Sequence, residues 1–269
     1  MILVTGATGT IGSAVVRLLT ARGVPARAMS RHGDVRADFD DPASLRPAVR
    51  GVDAVFLLTA PGARVPEHDR AMITAAVAAG VRKVVKLSAV GGKGSPSQWH
   101  APGEQALAGS GLAWTVLRPS AFASNALGWA GAIQAGDPIP NMTGAGAQGV
   151  VDPRDVAEVA VEGLLHDEHD GATYTLTGPE LVSVPDQVAQ LAEVLGRPLE
   201  TVDVPPEALL SRGLEPSVAE MAVRGQHLVR AGGNALVTDD VARVLGRPAR
   251  TFRTWATDHR TAFELPKSG

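Results

Sequence analysis

"TGATGTIG", residues 5–12, stands between an apolar run, "ILVT" (2–5), and a segment with helical apolar spacing, "IGSAVVRLLTARG" (11–23). Its glycines, Gly6, Gly9 and Gly12, follow the spacing G-x-x-G-x-x-G. Between a strand and a helix each glycine has its own task. Gly6 permits the tight turn, Gly9 lets the backbone approach a pyrophosphate, and Gly12 lets the helix pack closely on the strand. The helix beginning near Ile11 offers free N–H groups and a positive dipole end to the phosphates. Thr8 or Thr10 adds a hydroxyl donor. Three glycines alone are a weak signal, but the flanking strand and helix are the context the motif requires. The stretch reads as the phosphate cradle of a dinucleotide.

The next strand, "PARAMS" (25–30), decides which dinucleotide. A site for NAD ends this strand in Asp or Glu, which holds the ribose 2′-OH. Here it ends in Ser30 and Arg31. A guanidinium grips a 2′-phosphate in a bidentate fork, whereas a carboxylate repels it. The expected cofactor is therefore NADP(H) in preference to NAD(H), with Ser30 and His32 assisting Arg31.

Outward from this point the strand–helix alternation continues. "VRADF" (35–39), "DAVFLLT" (53–59), "KVVKLSA" (83–89) and "AWTVLR" (113–118) read as strands, and "PEHDRAMITAAVAAG" (66–80) as an amphipathic helix. Short helices are expected at "PASLRPAVRG" and near 102–109. Nearly continuous apolar strands separated by helices imply a parallel sheet covered on both faces. The fold class is α/β, a Rossmann-like doubly wound parallel sheet with a small mixed C-terminal lobe. Residues 1–120 form the expected NAD(P)-binding core. Residues 121–269 form a mainly helical substrate lobe with segments returning to the core.

Composition narrows the function. The chain of 269 residues has a formal charge of -3, with no cluster of Lys and Arg suited to nucleic acid. Cysteine is absent, which removes disulfides, thiolate nucleophiles and Cys-based metal sites and fits the reducing cytoplasm. No basic segment followed by an apolar stretch precedes the first strand, and no apolar run is long enough to span a bilayer. His166 and His169 in "HDEHD" read as a solvated acidic helix end and not a metal site. Glu67, His68 and Asp69 read as acids and a histidine opening a helix, where acids complement the dipole. Trp114, Trp129 and Trp255 suit a core better than a ligand stack. No metal, nucleic acid or membrane is expected as a partner.

The motifs "TGATGTIG", "SRHGDVRADFDDPASL", "LSAVGG", "LRPSAFASN", "VDPRDVAEVA" and "YTLTGPE" resemble the short-chain dehydrogenase/reductase superfamily, in its atypical NmrA-like branch. The resemblance runs along nearly the whole chain. It implies either an NAD(P)H-dependent reductase, quinone reductases included, or a non-catalytic NADP(H)-binding regulator. Carried over by position, Asp38 and Phe39 flank the adenine, and Thr59, Ala60 and Pro61 line the cofactor. Ser88 and Ala89 lie near the nicotinamide ribose and Pro119 near its carboxamide. Ser120, Phe122 and Asn125 border the acceptor, with Trp99, Met142 and Met221 as further walls.

Catalytic members of the superfamily use a tyrosine and, four residues later, a lysine. The one tyrosine here, Tyr174, is followed four residues on by Gly178, so it is not that dyad. The expected place, "WHAPGEQ" (99–105), holds His100 and Glu104. His100 reads as an acid that Glu104 would bias toward imidazolium, or as a residue opening the helix, or as a polar wall of the cofactor site. Ser88 is the second candidate donor. The expected function is reduction of a quinone or other conjugated apolar acceptor by a monomer or homodimer. A redox sensor without turnover and a dedicated natural-product reductase are the alternatives.

Overall fold

The computed structural model describes residues 1–31, 35–91, 95 and 97–264; His32 lies outside them. Seven parallel strands form one sheet in the order β3-β2-β1-β4-β5-β6-β9. They are β1 (Ile2–Val4), β2 (Ala26–Ser30), β3 (Val35–Arg36), β4 (Ala54–Leu57), β5 (Lys83–Leu87), β6 (Ala113–Pro119) and β9 (Ala172–Leu176). The order reverses between β1 and β4. That reversal opens a crevice at the strands' carboxyl ends, the place where such sheets bind ligands.

Helices cover both faces. α1 (Thr10–Ala21) and α6 (Pro153–Leu165) pack on one face, and α2 (Pro42–Ala48), α3 (Val65–Ala78) and α4 (Ser97–Ala108) on the other. Val15, Leu19, Val156 and Ala160 fill the first layer, and Leu45, Met72, Ala76 and Leu107 the second. The central strands read as unbroken apolar runs because both faces are buried.

Residues beyond 120 do not stand apart from this core. α6 and β9 complete the sheet and its cover, with β9 pairing in parallel with β6 from Thr115↔Ala172 to Pro119↔Leu176. The remainder builds a lobe at the carboxyl edge. It contains α5 (Ala130–Ala135), α7 (Val184–Leu195), α8 (Pro216–Arg230), α9 (Asp240–Leu245) and α10 (Phe252–Asp258). Two small sheets join it. β7 (Ile139–Asn141) runs parallel to β11 (Thr201–Asp203), and β8 (Ala147–Gly149) runs antiparallel to β10 (Leu181–Ser183). The lobe has its own core of Phe252, Trp255, Phe263, Val188 and Leu191.

The C-terminal segment is tied back to the sheet by charge. Asp155 of α6 is fully buried and accepts from the guanidinium groups of Arg247, at 2.8 Å, and Arg250. Glu158, one turn on, meets the same two arginines at 2.5 and 2.8 Å. A buried carboxylate requires such partners. Asp155→Ala should therefore lower stability by about 3 kcal/mol, the lower end for breaking a buried pair whose partners reach solvent. Urea unfolding measures it; a loss below about 0.5 kcal/mol, within the range of ordinary surface substitutions, would contradict this role.

Candidate functional site

The phosphate cradle forms where β1 passes into α1. Buried Thr5 donates to the Leu58 carbonyl at 2.8 Å and to the Phe56 carbonyl at 3.1 Å, and it accepts from Leu58 N–H at 2.8 Å. It thereby ties the ends of β1 and β4 together at the crevice. Gly6 then turns with φ +60°, a conformation that favours glycine. A Cβ on Gly12 would lie 2.2 Å from the Gly6 carbonyl oxygen, so α1 packs against the turn itself as well as the strand. A Cβ on Gly9 would meet only that same oxygen, at 3.4 Å, an ordinary contact. The protein itself leaves room at Gly9. No side chain among the described residues caps α1, so its first N–H groups are left for another acceptor.

Beside the cradle lies a cavity of about 390 Å³. Gly6, Thr8, Gly9, Ser30, Arg31, Asp38, Phe39 and Ala60 line it, eight of the residues expected from the sequence. Leu58, His68 and Asp40 line it as well. The His68 ring stacks on Phe39 with centroids 5.5 Å apart, a shelf wide enough for a planar base. Asp40 is held by Arg64 at 2.6 Å and by His68 at 2.7 Å, so its charge is compensated at the rim. Thr10 and Gly12 begin α1, with Ile11 buried beneath, and none of the three lines the cavity. Thr59, Pro61, Ser88, Ala89 and Pro119 also lie outside its lining, along the ends of β4, β5 and β6.

At that edge the structure corrects two expectations. α4 starts at Ser97 and runs straight through Pro102, so His100 and Glu104 lie one turn apart on a single helix. Glu104 biases His100 toward imidazolium only weakly, and that bias is outweighed. It is engaged by Arg118, at 2.5 Å and 3.2 Å, and by the Ser88 hydroxyl. Burial and the nearby Lys86 ammonium hold His100 down to about 4, against the weaker pull of Glu104. Its imidazole is neutral near pH 7. The second correction concerns Asp69, which is no solvated helix-opening acid. It is fully buried and pairs at 2.6 Å with Lys86, also fully buried. Gly103 makes room for it: a Cβ there would lie 2.1 Å from Asp69 Oδ2.

A second cavity, of about 410 Å³, opens just beyond β6 into the lobe. Phe122, Asn125 and Met142 line it, together with Trp129, Val150, Gln187 and Arg212. Trp129 is a lining residue that its spacing in the sequence assigned to the core. Among the described residues Arg212 is the only charged side chain in the lining. Met221 is buried on α8 and Trp99 half-buried on α4; neither lines this cavity. Ser120, between the two cavities in sequence, is 7% exposed, and its hydroxyl has no partner among the described residues. An unsatisfied buried hydroxyl calls for a ligand or water. The uncapped helix, the open face at Gly9, the aromatic shelf and this hydroxyl fit a nicotinamide dinucleotide.

His166 pairs with Glu162 at 3.3 Å, while His169 meets Tyr174 at 2.9 Å, so the two histidines of "HDEHD" have separate partners. No helix among the described residues is long and apolar enough to cross a membrane.

Comparison with known proteins agrees with this geometry. The model of an NAD(P)H-binding family matches residues 6–167, more than half the chain. A reductase of (4-alkanoyl-5-oxo-2,5-dihydrofuran-3-yl)methyl phosphate from Streptomyces griseus is 39% identical, with 98% of this chain and 99% of the relative covered. An NAD(P)H azoreductase from Xenophilus azovorans is 35% identical over the same shares. The crystal structure of an NADPH-dependent quinone oxidoreductase from Escherichia coli, complexed with NADPH, superimposes with a TM-score of 0.84 at 25% identity. It covers 96% of this chain and 99% of its own. The chain belongs to the NAD(P)H-binding family and, within it, to the atypical short-chain reductases that the motifs resemble.

Two outcomes follow from the site. Gly9→Val should abolish cofactor binding by calorimetry while circular dichroism stays unchanged, because its side chain obstructs the ligand and not the protein. The second follows from His100. Its folded-state pKa lies below its unfolded value, so its stabilising contribution is present above about pH 6.5 and is lost as pH falls toward 4. That contribution is about 3 kcal/mol. His100→Asn should flatten this part of the stability–pH curve; an unaltered slope between those values would show that the imidazole is not buried.

Proposed function

We propose that this family member is an NADPH-dependent reductase that delivers hydride to a quinone or another conjugated, largely apolar acceptor. The observation that carries the reading is the cavity beyond β6, walled by Phe122, Trp129, Met142 and Val150. Flat aromatic and adaptable thioether surfaces suit a planar acceptor. The relatives named above act on an azo compound, a quinone and an unsaturated lactone, and the shared chemistry is a conjugated electrophile.

Bound NADPH supplies the hydride. The residues of the chain do the rest. The α1 N-terminus and the Gly6–Gly12 turn hold the pyrophosphate, the Phe39–His68 shelf receives the adenine, and Arg31 grips the 2′-phosphate. Ser120 offers its free hydroxyl where β6 ends, and the aromatic walls exclude water and orient the acceptor ring. A conjugated acceptor spreads the arriving electron pair, so the chain needs no tyrosine–lysine dyad to protonate a basic alkoxide. The enzyme works as a monomer or homodimer in the cytoplasm.

A narrower reading is a dedicated natural-product reductase whose acceptor carries an anion. Arg212, the single charge of the lining among the described residues, favours it, as does the phosphate ester named for the Streptomyces relative. The test is NADPH oxidation against quinones, azo compounds, simple ketones and butenolides with and without a phosphate. Conjugated acceptors should be reduced and simple ketones should not; tight NADPH binding with no turnover on the panel would point to a sensor. Arg212→Gln should raise KM about 10-fold for a phosphorylated acceptor and leave a neutral quinone unchanged. For the cofactor, Arg31→Ala should weaken NADPH by about 10-fold or more while sparing NADH, since a charge-assisted phosphate contact is lost. Equal affinity of the unmutated protein for both cofactors would overturn the preference.

A further inference from the structure

Lys86 sits in the middle of the sheet, on a strand whose neighbours are apolar, and its side chain is completely buried. The other buried lysine of β5, Lys83, closes the far end of the strand against Asp167, at 3.0 Å, and Asp170, at 2.6 Å. Lys86 instead points toward α3 and α4. Its Nζ forms an ion pair with Asp69 Oδ2 at 2.6 Å and lies at hydrogen-bond distance from His100 Nδ1, 3.2 Å, and the Leu87 carbonyl, 3.3 Å. A lysine ammonium has three protons and no lone pair. It can meet Nδ1 only as a donor, so Nδ1 must be the bare nitrogen of the ring. The imidazole proton then resides on Nε2, which has no partner among the described residues. A second proton has no place on this ring, because Nδ1 would turn an N–H toward the ammonium.

We propose that the buried Asp69–Lys86 pair is a positioning device that locks His100 in the neutral Nε2–H tautomer, giving the acceptor a fixed hydrogen-bond donor instead of a titrating acid. The consequence for turnover rests on the reductase reading above; the tautomer itself does not. Each part of the arrangement has its cause. Asp69, from α3, balances the lysine charge inside the fold and is steadied by Thr59 at 3.3 Å. Gly103 lets α3 and α4 approach closely enough for that contact. Glu104, the charge on the histidine's own helix, pairs with Arg118 of β6, and its pull toward a second proton on the ring is outweighed by burial and Lys86. These are the charged groups facing His100 from α3, β5, α4 and β6. As hydride adds to the acceptor, the electron pair moves onto an acceptor heteroatom. The Nε2–H stabilises that charge without giving up its proton, and water supplies the proton of the product. Asp69 and Lys86 act through His100 and are positioning residues.

The tautomer can be read without turnover. Long-range ¹H–¹⁵N correlation on the unliganded protein, with His100→Ala for assignment, should show a protonated Nε2 and a bare Nδ1. The pattern should persist from about pH 8 to about pH 5, across the range where an ordinary imidazole titrates. A protonated Nδ1, or titration near the ordinary value, would overturn the proposal. Lys86→Met alone leaves Asp69 buried without its counter-charge and risks unfolding. The isosteric pair Asp69→Asn with Lys86→Met removes both charges. In it His100 should populate both tautomers and titrate at a higher pH than in the unmutated protein, with burial still holding it below the ordinary value. Its kcat with a quinone should gain a pH dependence there that the unmutated enzyme lacks, with KM for NADPH unchanged. His100→Ala should lower kcat about 10-fold, the loss of one hydrogen bond to a charged group. An identical spectrum and pH profile in the double variant would show the pair to be structural only. Failure of every acceptor would remove the reductase reading and leave the tautomer measurement to stand or fall alone.

Discussion

The contact between Gly12 and the Gly6 carbonyl is the constraint on which the rest of the molecule depends. With the oxygen 2.2 Å from where a Cβ would be, α1 lies directly on the turn and cannot carry a side chain there. The turn, the helix axis and the first strand become one rigid unit. Thr5 extends that unit to β4 by bonding both Phe56 and Leu58 across the reversal of strand order. The crevice is thus preorganised: its phosphate end is built from backbone, and its base end from the Phe39–His68 stack hung on the neighbouring strand and helix.

The opposite end of the crevice is organised by charge instead of close packing. Burying an ammonium and a carboxylate costs several kcal/mol per ion, and their attraction repays this only with good geometry and satisfied hydrogen bonds. The Asp69–Lys86 pair is close, because Gly103 allows the approach, but Asp69 accepts a hydrogen bond only at Oδ1, from Thr59, and its Oδ2 has none among the described residues. Replacing such a pair with apolar residues often preserves stability. Its presence beside His100 therefore suggests a role in aligning the ring more than in holding the fold together. Glu104, Arg118 and Ser88 form a second, adjacent set whose charges close on themselves. The site keeps its polarity through fixed donors, in keeping with acceptors that stabilise their own electrons.

Much of this was legible in the sequence for local reasons. The cradle is a contiguous motif, and its glycines are demanded by backbone geometry within eight residues. Strands β1, β4, β5 and β6 announced themselves as largely apolar runs because both sheet faces are covered, and β2 as an alternating strand. Arg31 could be singled out because it follows the second strand at the position the glycine motif fixes, whereas Phe39 and Phe122 came from the family resemblance. His68 and Asp69 were missed as site residues because acids at a helix start have an ordinary local explanation. One signal was available: a lysine within an otherwise apolar, doubly covered strand requires a buried acid, and "KVVKL" contains two such lysines.

The sequence by itself determined the α/β class, the phosphate-binding turn and the absence of a tyrosine–lysine dyad, since each depends on residues close together in the chain. Only the tertiary structure decided the state of His100. Its neighbours at hydrogen-bond distance come from β5, fourteen residues earlier, and the counter-charge comes from α3, farther still. Along the chain its conspicuous neighbour is Glu104, which argues for imidazolium. In space Glu104 belongs to Arg118, and the ring faces an ammonium in a dry environment that disfavours charge. The same holds for the lobe. Trp129 looks like core in the sequence, and it lines a cavity because α5, α7, β7 and α8 leave space there that no local pattern records.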